Sequence, residues 1–175
     1  MTEELFNAHG WKIARESASL PDGRVKDMIV VSRPDSVHIL AFPTPSTILM
    51  LREYRPRYKT HIWMVPSGRA DKENDMKAAA QRELQEETGF RANHLEFYCT
   101  TRHSETLLSA NHIFIARDLV KDPLPQDSDE MIEVHEVSLD QAIENVLGSE
   151  QVHTASAFAL LRYAREHGNS AKKAM

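Results

Sequence analysis

The sequence predicts an α+β (mixed α/β) domain, and two observations predict it. Turn signals cut the first third of the chain into short strands, and the remainder mixes further strands with three helical segments. Strands first, then strands among helices, is the pattern of a layered domain. At 175 residues the chain suits one domain with a sizeable core, with room for a small appendage.

The elements follow in order. Trp11 to Leu20 reads as a strand and runs into Pro21-Asp22-Gly23, a turn, then into a second strand, Val25 to Val31. Arg33-Pro34-Asp35 turns the chain into Ser36 to Phe42, and Pro43-Thr44-Pro45-Ser46 turns it into Thr47 to Glu53. A helix is expected from Asp75 to Thr88, with Gly89 as its C-terminal cap. Leu95 to Thr100 and Asn111 to Ala116 are strands, the polar stretch Lys121 to Glu130 is a loop, and Met131 to Val137 alternates as another strand. Ser138 with Gln141 makes a capping box for a helix in which Ala142, Ile143, Val146 and Leu147 share a face, stopped by Gly148. The last helix, Thr154 to His167, is expected to turn Ala157, Phe158 and Leu161 to the core.

Composition narrows the function. A net charge of -5 argues against nucleic acid as the partner. No apolar run spans a membrane; Ser46 to Leu51 ends at Arg52. The acidic start Met1-Thr2-Glu3-Glu4-Leu5 has no signal-peptide core, and Cys99 stands alone, which together lead us to expect a cytoplasmic protein. Arg52, Arg55, Arg57 and Lys59 concentrate positive charge, which by itself reads as a solvated basic loop.

The segment from Gly68 to Phe90 carries the chemistry. On a helix, Met76, Ala80 and Leu84 form the core stripe, while Lys77, Gln81 and Gln85 are expected on the wet side. Glu83 and Glu87 fall on the apolar stripe, with Glu86 beside them. Carboxylates on an inward face lose hydration and repel one another. A hard divalent cation removes both costs, and oxygen ligands favour magnesium or manganese. Near a helix C-terminus, acidic residues also oppose the macrodipole.

This segment resembles the Nudix box: a Gly, a Glu after five residues, and after seven more the run Arg-Glu-aliphatic-x-Glu-Glu-x-Gly-aliphatic. Gly68, Arg82, Glu83, Leu84, Glu86, Glu87, Gly89 and Phe90 match it. Six fixed letters recur by chance on the order of once in ten million windows at average usage. The first box Glu is replaced by Asn74, with Glu73 one position early. In the family that Glu steadies the loop and the box Arg, and Asn74 or Asp75 remains to cap the helix.

The resemblance implies a Nudix-type α/β/α sandwich with a mixed sheet over residues 46–175, preceded by an antiparallel β-segment over residues 1–45. It implies magnesium, with manganese able to substitute, held by Glu83, Glu86, Glu87 and the backbone carbonyl of Ser67, with Arg82 orienting the carboxylates through Glu86. Leu51-Arg52-Glu53-Tyr54-Arg55-Pro56 and Trp63-Met64-Val65-Pro66-Ser67-Gly68 are similar to the ADP-ribose and nucleoside diphosphate sugar pyrophosphatases. In that subgroup the N-terminal strands swap across a homodimer. The likeness makes Arg55 and Arg52 phosphate contacts. His103, in the loop between Thr100 and Thr106, is a candidate phosphate or sugar contact. The general base is sought among Glu130, Asp129 and Glu105, and base stacking among Trp63, Tyr54 and Phe97.

Thr100 to Thr106 lacks the Pro that ADP-ribose hydrolases carry in this region, so other nucleotide sugars gain weight. Two alternatives stay open. One is a Nudix hydrolase of a dinucleoside polyphosphate or a triphosphate. The other is a non-catalytic nucleotide sensor, against which the three box carboxylates count.

Overall fold

The computed structural model describes residues 2–72, 75–128 and 130–167. Along them run strands β1 (Thr2–Ala8), β2 (Trp11–Ser19), β3 (Val25–Ser32), β4 (Ser36–Ala41), β5 (Thr47–Arg55), β6 (Thr60–Met64) and β7 (Ser67–Arg69), then helix α1 (Met76–Thr88). Strands β8 (Phe90–Arg102), β9 (Ala110–Lys121) and β10 (Ile132–Ser138) follow, and helices α2 (Leu139–Leu147) and α3 (Thr154–His167) close the chain. They make three sheets, ordered β1-β2-β3, β10-β5-β6 and β7-β4-β9-β8.

The four-stranded sheet is mixed, because β4 runs parallel to β9 and antiparallel to β7. All of β4 is buried, and its side chains alternate between two cores as a strand's period of two requires. Val37, Ile39 and Ala41 pack with Leu49, Phe114 and the α1 residues Ala79, Ala80 and Leu84. Leu40 and Phe42 pack with Ile113, with Ala142 and Val146 of α2, and with Leu160 of α3. The expected α/β/α layering is the result.

The sequence places β4 inside the N-terminal segment of residues 1–45, yet the strand lies in the centre of the mixed sheet. The sheets part between β3 and β4, at Arg33-Pro34-Asp35. Parallel pairing joins strands far apart in the chain, and local turn signals carry no trace of it.

Two further expectations change. Phe158 and Leu161 of α3 are 42% and 45% exposed, and the buried face is Ala155, Ser156, Ala157, Ala159 and Leu160. Small residues let this helix lie close to the sheet, so the bulkier side chains are left outside. Gln85 is buried and donates from Nε2 to the Asp122 carbonyl at 2.8 Å, tying α1 to the segment after β9. Strand β1 carries no periodic signal because nearly all of it is exposed. The β1-β2-β3 sheet is pinned to the rest through Val31, whose N–H donates to the Thr106 carbonyl at 2.7 Å and whose carbonyl accepts from the Leu108 N–H at 2.8 Å.

Candidate active site

Helix α1 begins where Asp75 accepts a hydrogen bond from the Lys77 N–H at 3.1 Å, and ends at Gly89, whose φ of 76° suits the left-handed cap. Asn74 and Glu73 lie outside the described residues. The helix turns Glu83 and Glu87 inward, at 9% and 6% exposure. Strand β7 meets them. The Ser67 N–H donates to Glu87 Oε2 at 2.7 Å, and the Glu83 carboxylate lies directly over Gly68. A Cβ on residue 68 would stand 2.0 Å from Glu83 Cδ, so the close approach demands glycine there.

Arg82 binds the box together. It pairs with Glu83 at 2.8 Å, with Glu86 four residues on, and with the Arg69 carbonyl at 3.2 Å. Burial raises the pKa of Glu83, against the lowering effect of Arg82. Burial raises Glu87 well above the usual carboxylate range; the Ser67 N–H opposes this, and the charges of Glu83, Glu130 and Glu53 add to it. Among the described residues the carboxylates are not gathered into a metal-binding cluster; Arg82 takes both Glu83 and Glu86. The donor set nonetheless suits a hard cation: Glu83, Glu87 and Glu53 are buried oxygen donors on the wall of one cavity.

That cavity has a volume of about 530 Å³. Its walls include Ser67, Glu83, Glu87, Arg55, His103 and Glu130, so the three-residue β7, α1, β5 and two loops converge on one space. Arg55 pairs with Glu53 at 2.7 Å. The structure does not bring Arg52 there. Alternation along β5 puts it on the other face, paired with Glu133 at 3.1 Å. Glu105 is likewise elsewhere, paired with Lys26 at 3.2 Å, and Asp129 lies outside the described residues. Trp63, Tyr54 and Phe97 do not line the cavity; the aromatic side chain that does is Tyr58, in the turn after β5.

Several cavity residues had no motif to announce them. Arg33 faces His103, with Arg33 Nη2 3.5 Å from His103 Nε2. His38 is buried beside Asn111, and His153 beside Ser156. The one signal for His38 was a lone imidazole in an otherwise apolar strand. Burial lowers His38 to about 3 and His153 to about 4. His38 is therefore neutral in the folded chain and protonates on unfolding below pH 6.5. Stability from His38 is present in full above pH 6.5 and falls by up to about 1.4 kcal/mol per pH unit down to about pH 3. Denaturant titrations in metal-free buffer at several pH values are expected to show this slope, and His38→Phe to flatten it.

A model of the NUDIX domain matches residues 32–158 of this sequence. The chain belongs to the Nudix family. It is a Nudix hydrolase, and the matched range begins at the end of β3, leaving the β1-β2-β3 sheet largely outside the Nudix domain. Over 164 residues it is 29% identical to the ADP-ribose pyrophosphatase of Bacillus subtilis (strain 168), covering 90% of this chain and 87% of that one. It is 28% identical over 148 residues to the methanol dehydrogenase activator of Bacillus methanolicus, covering 83% and 80%. A hydrolase of Streptomyces rubellomurinus (strain ATCC 31215), named for CMP-5'-(N-acetyl-N-hydroxy-3-aminopropyl)phosphonate, is 30% identical over 147 residues, covering 81% and 69%. The solved structure of an ADP compounds hydrolase shares the fold, with a TM-score of 0.76, 22% identity, and coverage of 96% and 94%. Among the described residues, no helix is long and apolar enough to cross a membrane.

Proposed function

We propose that this Nudix hydrolase cleaves the pyrophosphate bond of nucleoside diphosphate sugars, ADP-ribose among them, to a nucleoside monophosphate and a sugar phosphate. The observation that carries the proposal is one cavity with the buried Glu83 and Glu87 on its α1 wall and Arg55 and His103 on others. A diphosphate flanked by two bulky groups suits such a space. The names of the Bacillus subtilis relative and of the fold neighbour, both concerned with ADP compounds, support the same substrate class.

Glu83, Glu86, Glu87 and the Ser67 carbonyl are the proposed holders of magnesium, for which manganese can substitute. Bound there, the cation would neutralise the diphosphate and acidify a water molecule. Arg82 holds Glu83 and Glu86 in place. Arg55 grips a phosphate by paired N–H donors, as a guanidinium suits. Glu130 takes the proton of the attacking water; a new P–O bond forms, the bond to the bridging oxygen breaks, and the two monoesters leave. A product screen with magnesium tests this across ADP-ribose, ADP-glucose, UDP-glucose and GDP-mannose. Several are expected to be cleaved, with ADP-ribose not preferred by more than about a hundredfold. Activity confined to triphosphates or dinucleoside polyphosphates would overturn the substrate class.

We also infer a cytoplasmic homodimer. The β1-β2-β3 sheet exposes Leu5, Phe6, Trp11 and Ile29, each between 44% and 50%. Three strands with an uncovered apolar surface gain little stability alone, and a second copy is the partner that covers them. Light scattering at micromolar concentration is expected to give twice the 19.9 kDa of one chain. A monomer mass with full activity would refute it.

A further inference from the structure

On the α3 side of β4 the cavity is closed by His38, by Asn111 of β9, and by the start of α3 with His153 before it. Hydrogen bonds guide the assignment of each histidine's tautomer. Ser156 Oγ accepts from the Val65 N–H at 3.0 Å and lies 2.7 Å from His153 Nδ1. With Ser156 assigned as the donor to His153 Nδ1, the ring proton sits on Nε2. His38 Nε2 lies 3.3 Å from Asn111 Oδ1, while the Asn111 amide nitrogen donates to Thr101 Oγ1 at 3.3 Å. The His38 proton is therefore on Nε2, and Nδ1 carries a bare lone pair. That Nδ1 is buried and has no hydrogen-bond partner among the described residues.

The two rings lie 5.5 Å apart between centroids. Both rings belong to the cavity wall, His38 with an unpartnered acceptor and His153 with a donor in this assignment. A phosphate or carboxylate oxygen has no hydrogen for His38 Nδ1, but a hydroxyl group gives one hydrogen bond and takes another. A nucleobase would want an aromatic face to stack on, and Tyr58 lies at the turn after β5, beside Arg55. We propose that His38 and His153 seat the hydroxyl-bearing sugar of the substrate, a subsite that rests on the diphosphatase reading above. Burial keeps both rings uncharged, which agrees with a neutral occupant.

The test compares ADP-ribose with the methyl ester of ADP at its terminal phosphate, which keeps the base and the diphosphate and lacks the sugar. In His153→Phe, and separately in His38→Phe, the ratio of kcat/KM for ADP-ribose to that for the methyl ester is expected to fall about tenfold, carried by KM. His153→Gln restores an N–H donor and is expected to recover part of the ratio. Thermal melts identify a variant that fails to fold, and the His153 pair decides the matter if His38→Phe does. An unchanged ratio in His153→Phe, or equal losses on both compounds, overturns the subsite alone. Wild-type turnover of neither compound overturns the diphosphatase reading and the subsite with it.

Discussion

Glu87→Gln is expected to lower kcat by roughly a thousandfold or more while leaving the fold at least as stable as the wild type at pH 8. Glutamine keeps the shape and an oxygen that accepts the Ser67 N–H, a contact of 2.7 Å in the wild type. It loses the charge through which a cation would be held. The stability half follows from the same burial. The folded pKa of Glu87 lies well above the ordinary 4.5, chiefly through burial, and the charges of Glu83, Glu130 and Glu53 reinforce it. The sign is that of a raised acid: its contribution is most favourable below the ordinary value and is lost as pH rises through the folded value. Above the ordinary value the wild type therefore bears the cost of either protonating or charging a buried carboxyl, and glutamine bears neither. Steady-state kinetics with magnesium, paired with thermal melts in chelator, check both halves. The variant's advantage in melting temperature is expected to shrink as pH falls toward 4.5. Near wild-type turnover would sink the metal assignment, and a large loss of stability at pH 8 would sink the account of the buried carboxyl.

Gly68→Ala is expected to lower kcat at least a hundredfold at a folding cost of only about 1 kcal/mol. The added Cβ would stand 2.0 Å from Glu83 Cδ and 2.1 and 2.3 Å from its two oxygens. Something must move, and the carboxylate at the end of Glu83 moves more readily than the paired backbone of β7. Displaced by an ångström or more, it leaves the 2.8 Å contact with Arg82 and the place where it faces the cavity. Misplacement on that scale is costly for catalysis and cheap for folding. Equilibrium unfolding together with kinetics separates the two. Full activity in the alanine variant would mean that the Glu83 position over Gly68 is not the working one.

Much of this site was legible in advance, because its central part is local. Gly68, Arg82, Glu83, Glu86 and Glu87 lie in one short segment, and a helix of known period brings the carboxylates to one face. The caps were equally local: Asp75 and Gly89 bound α1, and Ser138 accepts from the Gln141 N–H at 3.2 Å at the start of α2. Where packing chose between faces, reasoning from side-chain character alone went astray. Apolar bulk suggested Phe158 and Leu161 for the core of α3, and the sheet took the alanines instead. Amide polarity suggested solvent for Gln85, and the Asp122 carbonyl supplied a buried partner.

By itself the sequence determined the order and type of most elements, the identity of the box, and the inward face of its helix. Each depends on periodicities of two or 3.6 residues and on caps and turns within a few positions. Only the tertiary structure decided that β4 sits between β7 and β9, and that Arg55 faces the cavity while Arg52 faces Glu133. It also drew His38, Asn111 and His153 into one wall, across separations of 73 residues between His38 and Asn111 alone. Such contacts come from strand pairing and burial between distant segments, whose free energy is earned only when the whole domain closes, so no local pattern records them.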